Sequence, residues 1–321
     1  MQAPYFFFVI LNPFLEEYIY PLSIHSLPRL NSIFGFPTNP MIKKYITLPD
    51  DVQTAVKSLT ALCEVYDGSI VPIQFDHSLN FYPQMHSWFL CFEEEELLGV
   101  LSIFNHRSDV AEISGCVHPG MRNKGIFNEL IAAGSNELAL HSIPTMLFVV
   151  DNKSAPGMAA VEQARLQCDH IEYLMAHTGN TGKYKSASKV RAAGPDDVDD
   201  FININSALFH ETEEESRNMI LSCLQSGDRK QYMAEMGNEI IGICTLYYSG
   251  NKATIYGLGV SEKHQGKGLG FELINSILDV LKQQDCEVEL EVDSKNEKAY
   301  NLYKKVGFKE TRVVNYYIGR K

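Results

Sequence analysis

The stretch His264–Gly270, HQGKGLG, follows the apolar run IYGLGV after three residues and opens directly into FELINSILDVL. Gly266, Gly268 and Gly270 alternate with Lys267 and Leu269. A turn of small residues leading into a helix aims several backbone N–H groups at one point, and the helix dipole adds positive potential there. The chemistry it suits is the binding of a phosphate or pyrophosphate. Two nucleotide guests fail on spacing. A dinucleotide site needs GxGxxG, and a P-loop needs glycine at 261 and Ser or Thr after Gly-Lys, where this chain has Ser261 and Gly268. The same glycines also fit a turn built for backbone geometry alone.

Groups that could move protons lie downstream. In EVELEV, Glu287, Glu289 and Glu291 alternate with apolar residues and so share one strand face, which suits either a base or a solvated, salt-bridged surface. Tyr303, in NLYKKVGF, carries a phenol of pKa about 10 that can serve as a proton donor, or packs as an aromatic on a helix. The seven cysteines (63, 91, 116, 168, 223, 244 and 286) form no CxxC pair, and the histidines have no zinc-ligand spacing. Reduced thiols, no metal and a cytoplasmic location are expected.

The elements that must position these groups recur. Shifting the chain by 143 residues lays LLGVLSIF (97–104) on IIGICTLY (240–247), and VHPGMRNKGIFNELI (117–131) on VSEKHQGKGLGFELI (260–274). PDDV at 49–52 recurs at 195–198. Two copies of one domain follow, 41–178 and 189–321, joined by the Gly, Ser and Lys-rich TGNTGKYKSAS (178–188). The second copy reads as strand, helix pair, hairpin, strand, glycine turn, helix, strand, helix, strand. Phe271, Ile274, Ile277, Leu278 and Leu281 form one buried helical stripe, and Gly307 is placed to cap the last helix. The first copy shares the outline, with EEEE (93–96) at its hairpin tip and Pro156 interrupting a helix. The fold class is α/β (α+β), each copy a mixed, mostly antiparallel sheet with helices on both faces.

Residues 1–40 fall outside the repeat and make a poor signal peptide, lacking a basic start and a cleavage site. Met41 stands where translation is expected to begin, the leader then being an upstream extension; the alternative is an arm packed on the first copy. No run approaches the roughly 18 apolar residues a membrane helix needs. The net charge of −12 argues against a nucleic-acid surface while leaving room for one local anion pocket and a cationic substrate.

Gln265, Gly268 and Gly270 resemble the acetyl-CoA pyrophosphate loop of the GCN5-related N-acetyltransferase (GNAT) superfamily, and Asn296, Ala299, Leu302, Tyr303, Gly307 and Phe308 resemble its second segment, N-x-x-A-x-x-L-Y-x-x-x-G-F. The resemblance covers both copies at fold level and is rich in motifs only in the second. It implies an N-acetyltransferase that moves acetyl from acetyl-CoA, as co-substrate, to a primary amine of a small molecule or peptide. It also implies the loop Gln265, Gly266, Lys267, Gly268, Leu269, Gly270 with Asn296 as the cofactor site, and a bulged strand whose main chain at Leu258, Gly259 and Val260 meets the acyl and pantetheine groups. Tyr303 would protonate the departing thiolate and Glu291, twelve residues earlier, would be the base, with Tyr256 through water and His264 as other candidates. The first copy keeps Arg122, Gly125, Asn152 and Ala155 but has Phe127 for the last small residue and Ala159 for the tyrosine. It is expected to be non-catalytic, a structural partner or substrate wall, although Glu112 offers it a base. A monomer or homodimer is expected. The alternative is a non-catalytic acyl-CoA-binding regulatory module; a longer acyl-CoA or an oxygen nucleophile also stays open.

Overall fold

The computed structural model describes residues 41–179, 184, 187–237 and 239–318. The leader 1–40, with its expected end at Met41, and linker residues 180–183, 185 and 186 lie outside the described residues. The first copy runs β1 (Met41–Tyr45), α1 (Asp50–Asp67), β2 (Trp88–Glu93), β3 (Glu96–Phe104), β4 (Val110–Val117), α2 (Ile126–Leu140), β5 (Thr145–Asp151), α3 (Ala155–Gln163) and β6 (Gln167–His177). The second runs β7 (Lys189–Ala192), α4 (Val198–Phe209), α5 (Glu213–Gln225), β8 (Arg229–Met236), β9 (Glu239–Ser249), β10 (Lys252–Val260), α6 (Leu269–Lys282), β11 (Glu287–Asp293), α7 (Glu297–Lys305) and β12 (Phe308–Ile318).

The strands form one 12-stranded sheet, β1-β2-β3-β4-β5-β12-β6-β11-β10-β9-β8-β7. The last strand of each copy crosses over: β12 pairs with β5, and β6 pairs with β11. The two 11-residue strands then pair antiparallel with each other, so two half-sheets become one and neither presents an open edge at the join. Among the described residues only β4–β5 and β10–β11 pair parallel, and the sheet is mixed and mostly antiparallel with helices on both faces.

Residue alternation assigns the faces. Leu269, Leu273, Ile274, Ile277, Leu278 and Leu281 of α6 bury against Leu290, Val292 and Tyr303, with Phe271 only half-buried. Each such side chain contributes about 1.5–3 kcal/mol. On the other face α1 packs on Trp88, Leu90 and Val100, and α4 and α5 on Met233 and Ile243. The middle strands of that face lie between α1 and the α4–α5 pair.

The first copy departs from the shared outline. Where the second has a helix pair, it has the single 18-residue α1 and then Gly68–Ser87, which has no regular helix or strand. Pro156 does not interrupt α3: it sits in the first turn, where no N–H partner is lost, and the Ser154 hydroxyl caps the helix from Gly157 N at 3.2 Å.

Candidate functional site

Gly266 (φ 75°) and Gly268 (φ 84°) both adopt the left-handed conformation, and Gly268 caps α6 at its start. A methyl group at either would meet open space, so backbone shape selects glycine here. In the first turn of α6, Phe271 N donates to Gly268 O at 3.0 Å, whereas the N–H groups of Leu269 and Gly270 lie too early in the helix for an intrahelical acceptor. Gln265 turns inward instead: its Nε2 donates to Val260 O at 3.0 Å and ties the turn to the end of β10. Lys267 Nζ donates to Lys263 O at 2.9 Å. Leu269 is buried in the core, and Gly270 lies where a methyl would touch Leu302 Cδ2 at 3.4 Å.

Below the turn, β10 parts from β11. Their parallel pairing runs from Lys252↔Glu287 to Ile255↔Leu290. Beyond it β10 bulges against β9 between Tyr256 and Gly259, with Gly257 at φ 56°. The residues left out of register are Gly257 and Leu258, while Gly259 and Val260 pair again with Ile243 and Gly242 of β9, so the irregularity starts one residue before the expected strip and takes in only its first residue. Backbones crowd closely there: a methyl on Gly242 would stand 2.8 Å from Gly259 O, and one on Gly259 would stand 2.6 Å from Leu208 Cδ1. Gly242→Val is expected to destabilise the protein by about 1–3 kcal/mol, read from urea unfolding.

Glu291 is the first residue of β11 past the last paired position, and Tyr303 packs from α7 on the opposite face among Leu290, Val292 and Phe308. The two groups flank the split rather than touch. Burial, then Cys244, pushes the Tyr303 phenol up to about 12, so it keeps its proton at neutral pH. The Glu291 residue is exposed to water. Burial, then Glu172 and Glu289, pushes its carboxyl up to about 7. Asn296 is engaged as the cap of α7, accepting from Ala299 N at 3.1 Å.

The other two base candidates are occupied. His264 is buried, with Nδ1 at 3.0 Å from Ser261 Oγ and Nε2 at 3.6 Å from Glu239 Oε2, and props the turn. Tyr256 shares the face of Glu291, but its hydroxyl accepts from Arg229 Nε at 3.1 Å and lies 3.3 Å from Cys223 Sγ. Burial, then Cys223, drives its pKa far up. Arg229 in turn reaches Asp76 at 2.6 Å and Ser78 at 3.0 Å, tying the Gly68–Ser87 segment to β8.

Sequence reasoning missed Glu172, which β6 carries into the second half. Its carboxylate accepts from Tyr316 Oη at 3.0 Å, and the His170 ring stacks on Tyr316 at 4.2 Å. Burial raises its pKa against that bond. Glu112, on β4, lies on the same face and is pushed up to about 8 by burial, then by Glu172 and Glu291.

The turn of the first copy is built alike, but the strand beside it differs. Arg122 Nε donates to Val117 O at 3.1 Å, matching Gln265 on Val260, and its guanidinium grips Asp67 at 2.7 and 2.8 Å. Gly125 (φ 79°) caps α2. Yet β4 pairs with β3 without a bulge from Gly99↔Val117 to Phe104↔Glu112. The Phe127 ring lies over that strand, 3.1 Å from where a methyl on Gly115 would be. Among the described residues no group of His, Cys, Asp or Glu could hold a metal ion, and no helix is long and apolar enough to cross a membrane.

The acetyltransferase (GNAT) family model matches residues 56–163 and 198–308. The chain is 29% identical over 146 residues to an N-alpha-acetyltransferase of Sulfurisphaera tokodaii, covering 40% of this chain and 84% of that protein. It is 28% identical over 132 residues to a mycothiol acetyltransferase of Clavibacter sepedonicus, covering 37% of this chain and 41% of that protein. Among solved structures, a GCN5-related N-acetyltransferase from Sphaerobacter thermophilus superposes with a TM-score of 0.69 at 18% identity, covering 88% of this chain and 96% of that one. A tandem GNAT protein from the clavulanic acid biosynthesis pathway gives 0.64 at 14% identity, covering 87% and 98%.

Proposed function

Because the chain belongs to the acetyltransferase (GNAT) family, we propose that it is an acetyl-CoA-dependent N-acetyltransferase whose catalytic groups lie in residues 189–321, with 41–178 as structural partner and substrate wall. The observation that carries this reading is the split between β10 and β11, with Glu291 on one face and Tyr303 on the other.

The residues present fit the cofactor. The left-handed glycines 266 and 268 and the N–H groups of Leu269 and Gly270 at the start of α6 suit a pyrophosphate, and the bulge at Gly257 and Leu258 loosens the main chain beside the split. When bound, acetyl-CoA supplies an acyl group activated as a thioester. Glu291, with a carboxyl poised near neutral pH, takes a proton from the amine on the open face of the sheet. Tyr303, protonated on the α7 side, gives one to the departing sulfur. Amine and leaving group thus meet their partners from opposite sides of the sheet.

Thiol release from acetyl-CoA across a panel of amines tests the reading. Tight acetyl-CoA binding with no thiol release from any amine would favour the non-catalytic binding module instead. The bulge-free β4 and the Phe127 ring support a single cofactor site. Calorimetric titration is expected to give one acetyl-CoA per chain; two would show that the first slot is open.

A further inference from the structure

Strand β12 carries Arg312 to the face of the sheet that bears Glu291. Antiparallel register sets Glu291 level with Leu174 of β6, and Leu174 level with Arg312. Directly paired residues point to the same side of a sheet. The two charged side chains therefore share one face, with half-buried Leu174 between them. Two strand spacings of about 4.8 Å put their backbones roughly 10 Å apart. The pairing of β12 with β6 is irregular between Glu310 and Arg312, a kind of bulge that re-aims a side chain.

Beyond Arg312 lies an open cavity of about 350 Å³, lined by Glu64 and Gly68 at the end of α1, Asp151 and Lys153 at the end of β5, and Thr311 with Arg312. Its carboxylates are engaged by main chain. Asp151 accepts from Ile70 N at 3.1 Å and from Lys153 N at 2.8 Å, and Glu64 accepts from Val71 N at 3.1 Å. Glu172, on the same face, is turned to Tyr316 at 3.0 Å and His170 at 3.9 Å. The cations are left over: neither the Arg312 guanidinium nor the Lys153 ammonium has a hydrogen-bond or ion-pair partner among the described residues. A guanidinium fork without a carboxylate of its own matches one supplied from outside.

Granted the acetyltransferase reading, we infer that the acceptor is an amine that also carries a carboxylate: its nitrogen reacts at Glu291, its linking atoms lie on Leu174, and Arg312 with Lys153 holds its carboxylate. Amine and carboxylate then stand roughly 5–10 Å apart, the span of a dipeptide or of an ω-amino acid of similar length. A free α-amino acid is too short to reach both ends. Lys153 and the wall of the cavity come from the first copy, Arg312 and Glu291 from the second, so the two copies select the acceptor together. Arg312 is the specificity-determining residue.

The experiment compares kcat/KM for two matched pairs, 5-aminopentanoate with 5-aminopentanamide and alanylalanine with its C-terminal amide, in wild type, Arg312→Gln and Arg312→Lys. In wild type at least one acid should be favoured over its amide by about 10-fold or more, and the pair that shows it tells the ω-amino acid from the peptide. Arg312→Gln should pull that ratio towards one, with the loss falling on KM, while Arg312→Lys, which keeps the charge, retains part of the preference. Equal use of acid and amide in both pairs, or a ratio untouched in Arg312→Gln, overturns the inference and leaves the acetyltransferase reading standing. No thiol release from any amine overturns both.

Discussion

Tyr303→Phe lowers kcat about 100-fold while the dissociation constant of acetyl-CoA, measured by calorimetry, changes less than about two-fold. The substitution removes one hydroxyl from a ring that is otherwise buried against Leu290, Val292 and Phe308, so packing survives and the loss falls on chemistry. Burial holds the phenol at about 12, well above neutral pH, so it is protonated and available to donate to the charge that develops on the departing sulfur, which desolvation makes more basic. The rate defect should shrink for an acyl donor with a more acidic thiol, because a better leaving group needs less protonation. A defect that stays constant across donors, or one that appears mainly in acetyl-CoA binding, would make Tyr303 a packing residue.

The repeat, the glycine turns and the strand faces were legible because each rests on local stereochemistry. Gly268 and Gly125 stand at the same place in their copies and adopt nearly the same φ, 84° and 79°, a conformation that disfavours any side chain. Glu287, Glu289 and Glu291 do alternate with buried Val288, Leu290 and Val292. Glu94, with φ 54°, turns the acidic hairpin as its position suggested.

What escaped the sequence depends on which strand lies beside which. QCDHIEYLMAH carries no signal that its neighbours are β11 and β12 rather than β5, so Glu172 could not be placed near Glu291. Partner choice was equally hidden. Tyr256 and His264 have the right chemistry for a base, and only the fold shows Arg229 and Cys223 on one and Ser261 on the other. The turn reads as a phosphate cradle in both copies; that the Phe127 ring lies 3.1 Å from where a methyl on Gly115 would stand is a fact of packing between α2 and β4.

Glu291→Gln is expected to lower kcat/KM for the amine by about 100-fold or more at pH 8 and to change the shape of the pH profile. A base works only when ionised. With its carboxyl raised to about 7 by burial, Glu172 and Glu289, wild-type activity climbs as pH rises through about 7 and then levels. It falls again only as the ammonium form of the substrate disappears near its own pKa, about 10.4 for a lysine-like amine. Glutamine has nothing to ionise, so the residual activity of the variant should rise with free amine and show no break near 7. Glu112 provides the internal comparison. Its carboxyl is raised to about 8, but three strands separate β4 from β11, so Glu112→Gln should leave in place the break near 7 that burial, Glu172 and Glu289 set. A break near 7 that persists in Glu291→Gln and vanishes in Glu112→Gln would transfer the base from β11 to β4, and the reacting amine with it.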